Sequence, residues 1–261
     1  LVLAYIAHRS AEAFGRERIF SAWSLPRTWF IPVVIFSSIL GVCTVWAVNW
    51  KPLVANRILI QAIQPHKPED GGVAKNIDLF VQALAYDSLG NQEMREQLMQ
   101  GTLSALASTA VSNEDKQKLL TLAVSEMEKQ AASAPDDARF PYFLGALFAA
   151  IGQNETAKPY LEKALALSPT KQAIQMQLVF VEYALGNKER ALELAKTTFE
   201  AAPQFKDPRV VYAALLIANG DARADEIVAP LIVSGQANDQ RLISAYAEKK
   251  RYDKIAEIWE S

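Results

Sequence analysis

Two histidines, His8 and His66, and one cysteine, Cys43, are what this 261-residue chain offers for the commonest catalytic chemistry. A Ser/His/Asp triad needs a histidine between a serine and a carboxylate, and a zinc site needs several Cys, His or carboxylate ligands at close spacing. Neither histidine sits in such a pattern, a single cysteine closes no internal disulfide, and Cys43 lies inside an uncharged run. No catalytic residue, metal or other cofactor is therefore expected within this chain. Lys and Arg number 27 against 29 Asp and Glu, without a basic stripe outside one arginine-bearing loop, so nucleic acid is not an expected partner. What remains is recognition by apolar and aromatic side chains, and the candidates are Tyr142, Met176, Phe180, Tyr183, Val210 and Ile217, with Ala146, Ala149 and Ala214 beside them.

These residues share a face only if helices carry them. Beyond residue 72 the chain shows helical periods broken by short turns and no alternating strand pattern. Ile77 to Tyr86 and Asn91 to Ala107 are amphipathic, with Gly90 near the turn between them, and Asn113 is placed to cap a third helix over Lys116 to Ala132. From Asp136 to Pro169, Leu144, Gly145, Phe148, Gly152, Ala157, Leu161, Ala164 and Pro169 stand at the spacings of a tetratricopeptide repeat. One period of ~34 residues later, Leu178, Gly186, Ala191 and Pro203 take over four of those places, and Gly220 follows Gly186 at the same interval. Small residues let the two helices of each hairpin touch, glycine makes the turn and proline ends the second helix. A third unit, Lys206 to Asp239, reads as degenerate because Asp225 stands where the small residue belongs, and a fourth, from Gln236, keeps Tyr246, Tyr252 and Trp259.

Stacked hairpins curve into a solenoid whose first helices line the concave side, and counting within the units places the nine candidates there. Two readings stay open: a groove for a helix or extended peptide, or surface consumed by contacts with neighbouring repeats and the earlier helices. Tetratricopeptide domains that clamp a C-terminal carboxylate use Lys, Asn and Arg at such positions, and none is counted on this face. Asn154-Glu155-Thr156 matches a glycosylation acceptor but opens the second helix of a repeat, where capping is its role.

Ahead of the helical region lies Trp29 to Val48, WFIPVVIFSSILGVCTVWAV, which holds no charge. About 20 such residues cross ~30 Å of hydrocarbon as a helix, and the aliphatic and Phe side chains at its centre supply roughly 3 kcal/mol towards insertion. Trp23, Trp29, Trp46 and Trp50 put indole rings at both ends, where headgroups begin. Pro32 falls in the first turn, and Ser37, Ser38 and Gly41 are small enough for close helix approach. The competing reading is a buried helix of a large soluble protein. Arg9, Arg16, Arg18 and Arg27 precede the run, against Lys51 and Arg57 in a comparable length after it, which places the first loop in the cytoplasm and everything beyond Trp50 outside. Ser10 to Phe20 reads as either an interfacial helix or a solvated loop. Lys51 to Ile63 continues as a helix started by Pro52, and Gln64 to Gly72 is turn chemistry, read as a linker. Leu1 to Ala7 reads as the end of an earlier membrane helix, so the chain is expected to be the C-terminal piece of a longer polypeptide.

The expected architecture is thus all-α: membrane region 1–50, juxtamembrane helix and linker 51–72, helical domain 73–135, and repeats 136–261. The layout, with LAYIAHRS, a basic loop, a Trp-flanked span, GNQEMREQL (Gly90 to Leu98) and then repeats, resembles the C-terminal end of bacterial O-antigen ligase-like membrane proteins. That resemblance implies a multi-pass protein of the cytoplasmic membrane that transfers a polyprenyl-linked glycan, with its catalytic residues upstream of Leu1 and its repeats outside the membrane. A different class of reading is a non-enzymatic membrane-anchored scaffold for envelope proteins. Either way the expected partners are membrane lipid and a protein or peptide in the groove, with the glycan reached only through the upstream domain.

Overall fold

A computed structural model describes residues 27–260, all of whose regular structure is helical. The readings of Leu1 to Ala7, of Ser10 to Phe20 and of the arginine-bearing loop as far as Pro26 lie outside the described residues. The helices are α1 (Arg27–Ala62), α2 (Gly72–Leu84), α3 (Asn91–Ala107), α4 (Asn113–Ser133), α5 (Arg139–Ala150), α6 (Asn154–Leu167), α7 (Gln172–Ala184), α8 (Lys188–Ala201), α9 (Lys206–Asn219), α10 (Ala224–Val233), α11 (Gln240–Glu248) and α12 (Tyr252–Glu260).

The apolar run and the juxtamembrane helix are one element, not two. α1 passes through Pro52 without interruption, although proline removes a hydrogen bond to the carbonyl four residues earlier. That carbonyl belongs to Val48, at the end of the uncharged run, where water or headgroups can satisfy it. Along the run, Trp29, Phe36, Val42 and Trp46 are more than half exposed, so the rest of the protein does not cover this stretch. It is long and apolar enough to cross a membrane, and none of that window is buried among the described residues. Its polar side chains bond back into the helix: Thr44 Oγ1 donates to Leu40 O and Asn49 Nδ2 to Val45 O, each at 2.8 Å.

Past Pro52 the same helix changes partner. Ala55, Leu59 and Ala62 recur at helical spacing and are buried against Phe80, Ala83 and Leu84 of α2. Asn76 Nδ2 donates to Ala62 O at 2.6 Å and Gln64 O at 2.7 Å, closing the end of α1 with a side chain from α2. The expected linker is a compact turn with a 3₁₀ turn at Pro68–Asp70 and left-handed Gly71 and Gly72. One core runs from Ala55 through Met94, Leu98 and Met127 to Phe140 and Leu144, so neither residue 72 nor residue 135 divides it.

Ser112, rather than Asn113, caps α4: its Oγ accepts from the Asp115 amide at 3.1 Å. α3 and α4 are pinned by Arg95, whose Nε donates to Glu126 at 3.1 Å and whose Nη1 donates to Gln130 at 2.7 Å, with Lys129 on the other Glu126 oxygen. Burial opposes charge on Glu126, but the hydrogen bonds from Lys129 and Arg95 outweigh it and hold the carboxyl below its usual range. A depressed folded pKa contributes stability that is present above the unfolded value of about 4.3 and lost as pH falls through the folded one. Glu126→Gln is therefore expected to flatten the acid side of a melting-temperature profile below about pH 4.3, which a thermal melt series would read.

The hairpins α5/α6, α7/α8 and α9/α10 follow the expected period. Gly145 of α5 shows why: a Cβ there would lie 2.6 Å from Leu161 Cγ and 3.2 Å from the Ala157 carbonyl, so only glycine allows α6 this close. In the third hairpin the contact slips by one residue. Ala224 takes the buried place, and Asp225, half exposed, accepts from the Tyr246 hydroxyl at 3.1 Å and faces Lys254 at 3.7 Å and Arg251 at 3.8 Å. Burial, then the Asp225 charge, push the Tyr246 phenol up. The unit is re-registered rather than degenerate. In the fourth, Tyr246 is buried, whereas Tyr252 and Trp259 are exposed.

Candidate functional site

Side chains of α7, α9 and α11 together line a groove, with α9 packed directly on α11. A pocket of about 240 Å³ opens there, walled by Val179, Val211 and Leu215 and flanked by Phe180, Tyr183 and Ala218. Phe180 and Tyr183 remain 45% and 36% exposed, although aromatic rings of this size are normally covered. Arg241, Ser244, Ala245 and Glu248 of α11 form the opposite wall at the i, i+3, i+4, i+7 spacing of one helix face.

Of the six principal candidates, the structure brings Phe180 and Tyr183 together here, with Ala214 also lining the pocket. Val210 and Ile217 are not at the surface: both are buried in the core, at 0% and 4% exposure. The reason is that α9 is packed against α8, α10 and α11 at once, so the face counted as concave is taken up by neighbouring helices. Met176 is half-buried against the same core. Tyr142 lines a different and wider cleft, about 730 Å³, between the α4–α5 and α6–α7 connections, together with Arg139, Lys171 and Ile174. Ala146 and Ala149 of α5 are half-buried and line neither cavity.

Arg241 corrects a second expectation, since a basic side chain does stand on the concave side. It is already engaged: Nη2 donates to Asp239 at 2.9 Å and to Asp207 at 2.7 Å. Its hydrogen bond holds the Asp239 carboxyl below its usual range against the effect of burial. The α11 wall was missed because α11 falls in the least repeat-like part of the chain, although the 241, 244, 245, 248 spacing was a usable signal. Among the described residues no group of three or more His, Cys, Asp or Glu side chains is placed to hold a metal ion.

Residues 148–215 match the family model described as tetratricopeptide repeat. Over that stretch the helical array carries tetratricopeptide repeats. Two solved structures are similar to it at low identity. MamA 41-end from Desulfovibrio magneticus RS-1 is 16% identical, with 74% of this chain and 97% of that chain covered at a TM-score of 0.51. A second, titled "Crystal structure of MamA protein", is 16% identical over 79% of this chain and 96% of that one, at a TM-score of 0.47. The first likeness shows a shared fold. Comparison with curated proteins gives no match, and nothing in these findings points to a glycan ligase.

One charge is buried inside the tetratricopeptide array. Glu182, 2% exposed, holds Lys158 of the preceding repeat at 2.9 Å and accepts from Asn187 Nδ2 at 2.6 Å. Its hydrogen bond raises the Lys158 pKa. One period away in either direction the same place is filled by Phe148 and Leu216, so the position itself accepts an apolar side chain. Exchanging a buried ion pair for packed apolar residues is often neutral or stabilising. Replacing both partners, Glu182→Leu with Lys158→Met, is expected to leave the melting temperature unchanged or raise it, whereas Glu182→Leu alone, which strips Lys158 and Asn187 of their acceptor, should lower it. A clear fall for the double variant in a thermal melt would show the charge pair to be structurally required.

Proposed function

We propose that this chain is a membrane-anchored tetratricopeptide module that holds a protein or peptide partner in the groove between α7, α9 and α11. The observation that carries the reading is the exposed Phe180 and Tyr183 pair over an apolar pocket on the concave side of the array. Tetratricopeptide domains bind proteins and peptides, and a small dry pocket beside two rings suits one aliphatic or aromatic anchor side chain from the partner. Peptides selected by display against the full chain should compete for one site, and Ala218→Trp, which fills the pocket, should abolish their binding. Peptides bound equally by that variant would place recognition elsewhere.

The anchor is the uncovered part of α1. Retention in the membrane pellet through carbonate extraction supports an anchor, and release as a shortened chain identifies a cleaved signal. With Arg27 and the loop before it cytoplasmic, the solenoid is extracytoplasmic, and protease added to intact spheroplasts should cut it. The finer assignment, to the tail of a glycan-transferring enzyme, is supported by the sequence layout alone. Many apolar spans encoded upstream of Leu1 would support it, and one or two would remove it.

A further inference from the structure

The solenoid has two edges, and they differ in chemistry. The connections within hairpins, such as Gly152-Gln153, Gly186-Asn187, Asp221 to Arg223 and Lys249 to Arg251, are polar. The connections between hairpins and the helix ends beside them carry exposed apolar side chains: Leu89 at 86%, Phe205 at 54% and, at the end of α10, Val233 at 89%. These connections lie along one edge. Arg139, at the α4–α5 connection, reaches Glu96 in the second turn of α3, and Arg241, at the start of α11, reaches Asp207 at the start of α9.

That edge is also the one from which the apolar stretch of α1 departs. Asn76 pins the start of α2 to the end of α1, and α2 runs back antiparallel. Eight residues on, Leu84 stands level with about Val54, roughly 9 Å beyond Val48 at ~1.5 Å per residue. The next turn folds onto α1 there: a Cβ at Gly90 would lie 3.1 Å from Asn56 Oδ1. Headgroups extend about 5–7 Å beyond the hydrocarbon on each side, so the backbone of this turn stands just outside them and only a side chain pointing back along α1 reaches that layer.

The turn is built for such a place. Asn91 Oδ1 accepts from the Ser88 amide at 3.0 Å, Ser88 Oγ from the Gly90 amide at 3.3 Å, and Asn91 Nδ2 donates to Leu84 O at 3.3 Å. The Ser88, Gly90 and Asn91 amides are bonded within the turn, while its large apolar side chain, Leu89, covers nothing. On α1 between the uncharged run and that level, Trp50 is 50% and Leu53 66% exposed. The exposed charges nearby, Lys51, Arg57 and Asp87, are of mixed sign and favour no particular headgroup.

Resting on the reading of α1 as a membrane span, we propose that the α2–α3 turn is a second membrane contact. Leu89 enters the headgroup layer beside Trp50 and Leu53, and the unbroken α1 and this turn together hold the solenoid at a set orientation on the bilayer. The test uses the full chain in phosphatidylcholine vesicles with an environment-sensitive fluorophore on a single cysteine. Cys43→Ser/Leu89→Cys reports the turn and Cys43→Ser/Thr109→Cys the opposite edge, while the native Cys43 reports the span. The expected result is a blue-shifted label at position 89, quenched by headgroup-region spin-labelled lipid, and a label at position 109 quenched only from the aqueous phase. Deep quenching at Cys43 with a fully aqueous label at 89 would overturn the second contact and leave the span intact. Aqueous labels at both 43 and 89 would overturn the span and the contact with it.

Discussion

Leu161→Ala is expected to cost about 2–5 kcal/mol, the range for truncating a buried leucine where the surroundings relax only partly. Leu161 is fully buried, and its Cγ and Cδ2 would lie 2.6 Å and 2.8 Å from a Cβ placed on Gly145. Gly145→Ala alone is expected to cost about 1–3 kcal/mol for the opposite reason, because α5 and α6 must move apart around a methyl group. The two losses should not add. With Leu161 shortened, the new methyl occupies space that the leucine vacated, so the double variant should be more stable than the sum by about 0.5–3 kcal/mol. Denaturant melts of the four proteins would measure this. Strict additivity would mean that Leu161 is not what excludes a side chain at 145, leaving the Ala157 carbonyl, 3.2 Å from that Cβ, as the obstacle.

That hairpin was also the most legible part of the sequence, and the reason is physical. Gly145, Ala157 and Ala164 must be small because two backbones meet there, so the residue type itself reports the geometry. The slip at Ala224 was not legible, since a one-residue shift keeps every local preference and shows itself only in which side chain is buried. Pro52 was read as a start signal because proline usually sits in a first turn. Its position at the exit from an apolar run, where a freed carbonyl can be solvated, makes it tolerable inside α1. Val210 and Ile217 were placed by counting from Met176 and Tyr183, which is valid when every first helix has the same neighbours. α9 packs broadly on the next first helix, α11, whereas α7 makes only slight contact with the first helix before it, α5, and that packing turns Val210 and Ile217 into core. Phe180 and Tyr183 are partly exposed, as counted, because they lie where the repeat pattern is strongest and their neighbours conform to it.

The same logic sets the largest expected effect on recognition, that of Phe180→Glu. The Phe180 ring is 45% exposed and takes no part in the buried core of the repeats, so replacing it removes little that holds α7 in place. Far-ultraviolet circular dichroism and the melting temperature should change little. A glutamate there puts an unpaired carboxylate over an apolar pocket and beside Glu248 on the facing wall. A partner side chain entering that pocket would desolvate the charge, and leaving such a group unpaired costs ~1–3 kcal/mol or more. Binding of a display-selected peptide should therefore weaken at least about tenfold, the equivalent of 1.4 kcal/mol. Phe180→Leu, which keeps an apolar surface, should lose far less, and that contrast separates recognition from mere disturbance of α7. Equal binding by Phe180→Glu and the parent chain would exclude this groove. The wider cleft at Tyr142 and Lys171 would then be the surface to mutate next.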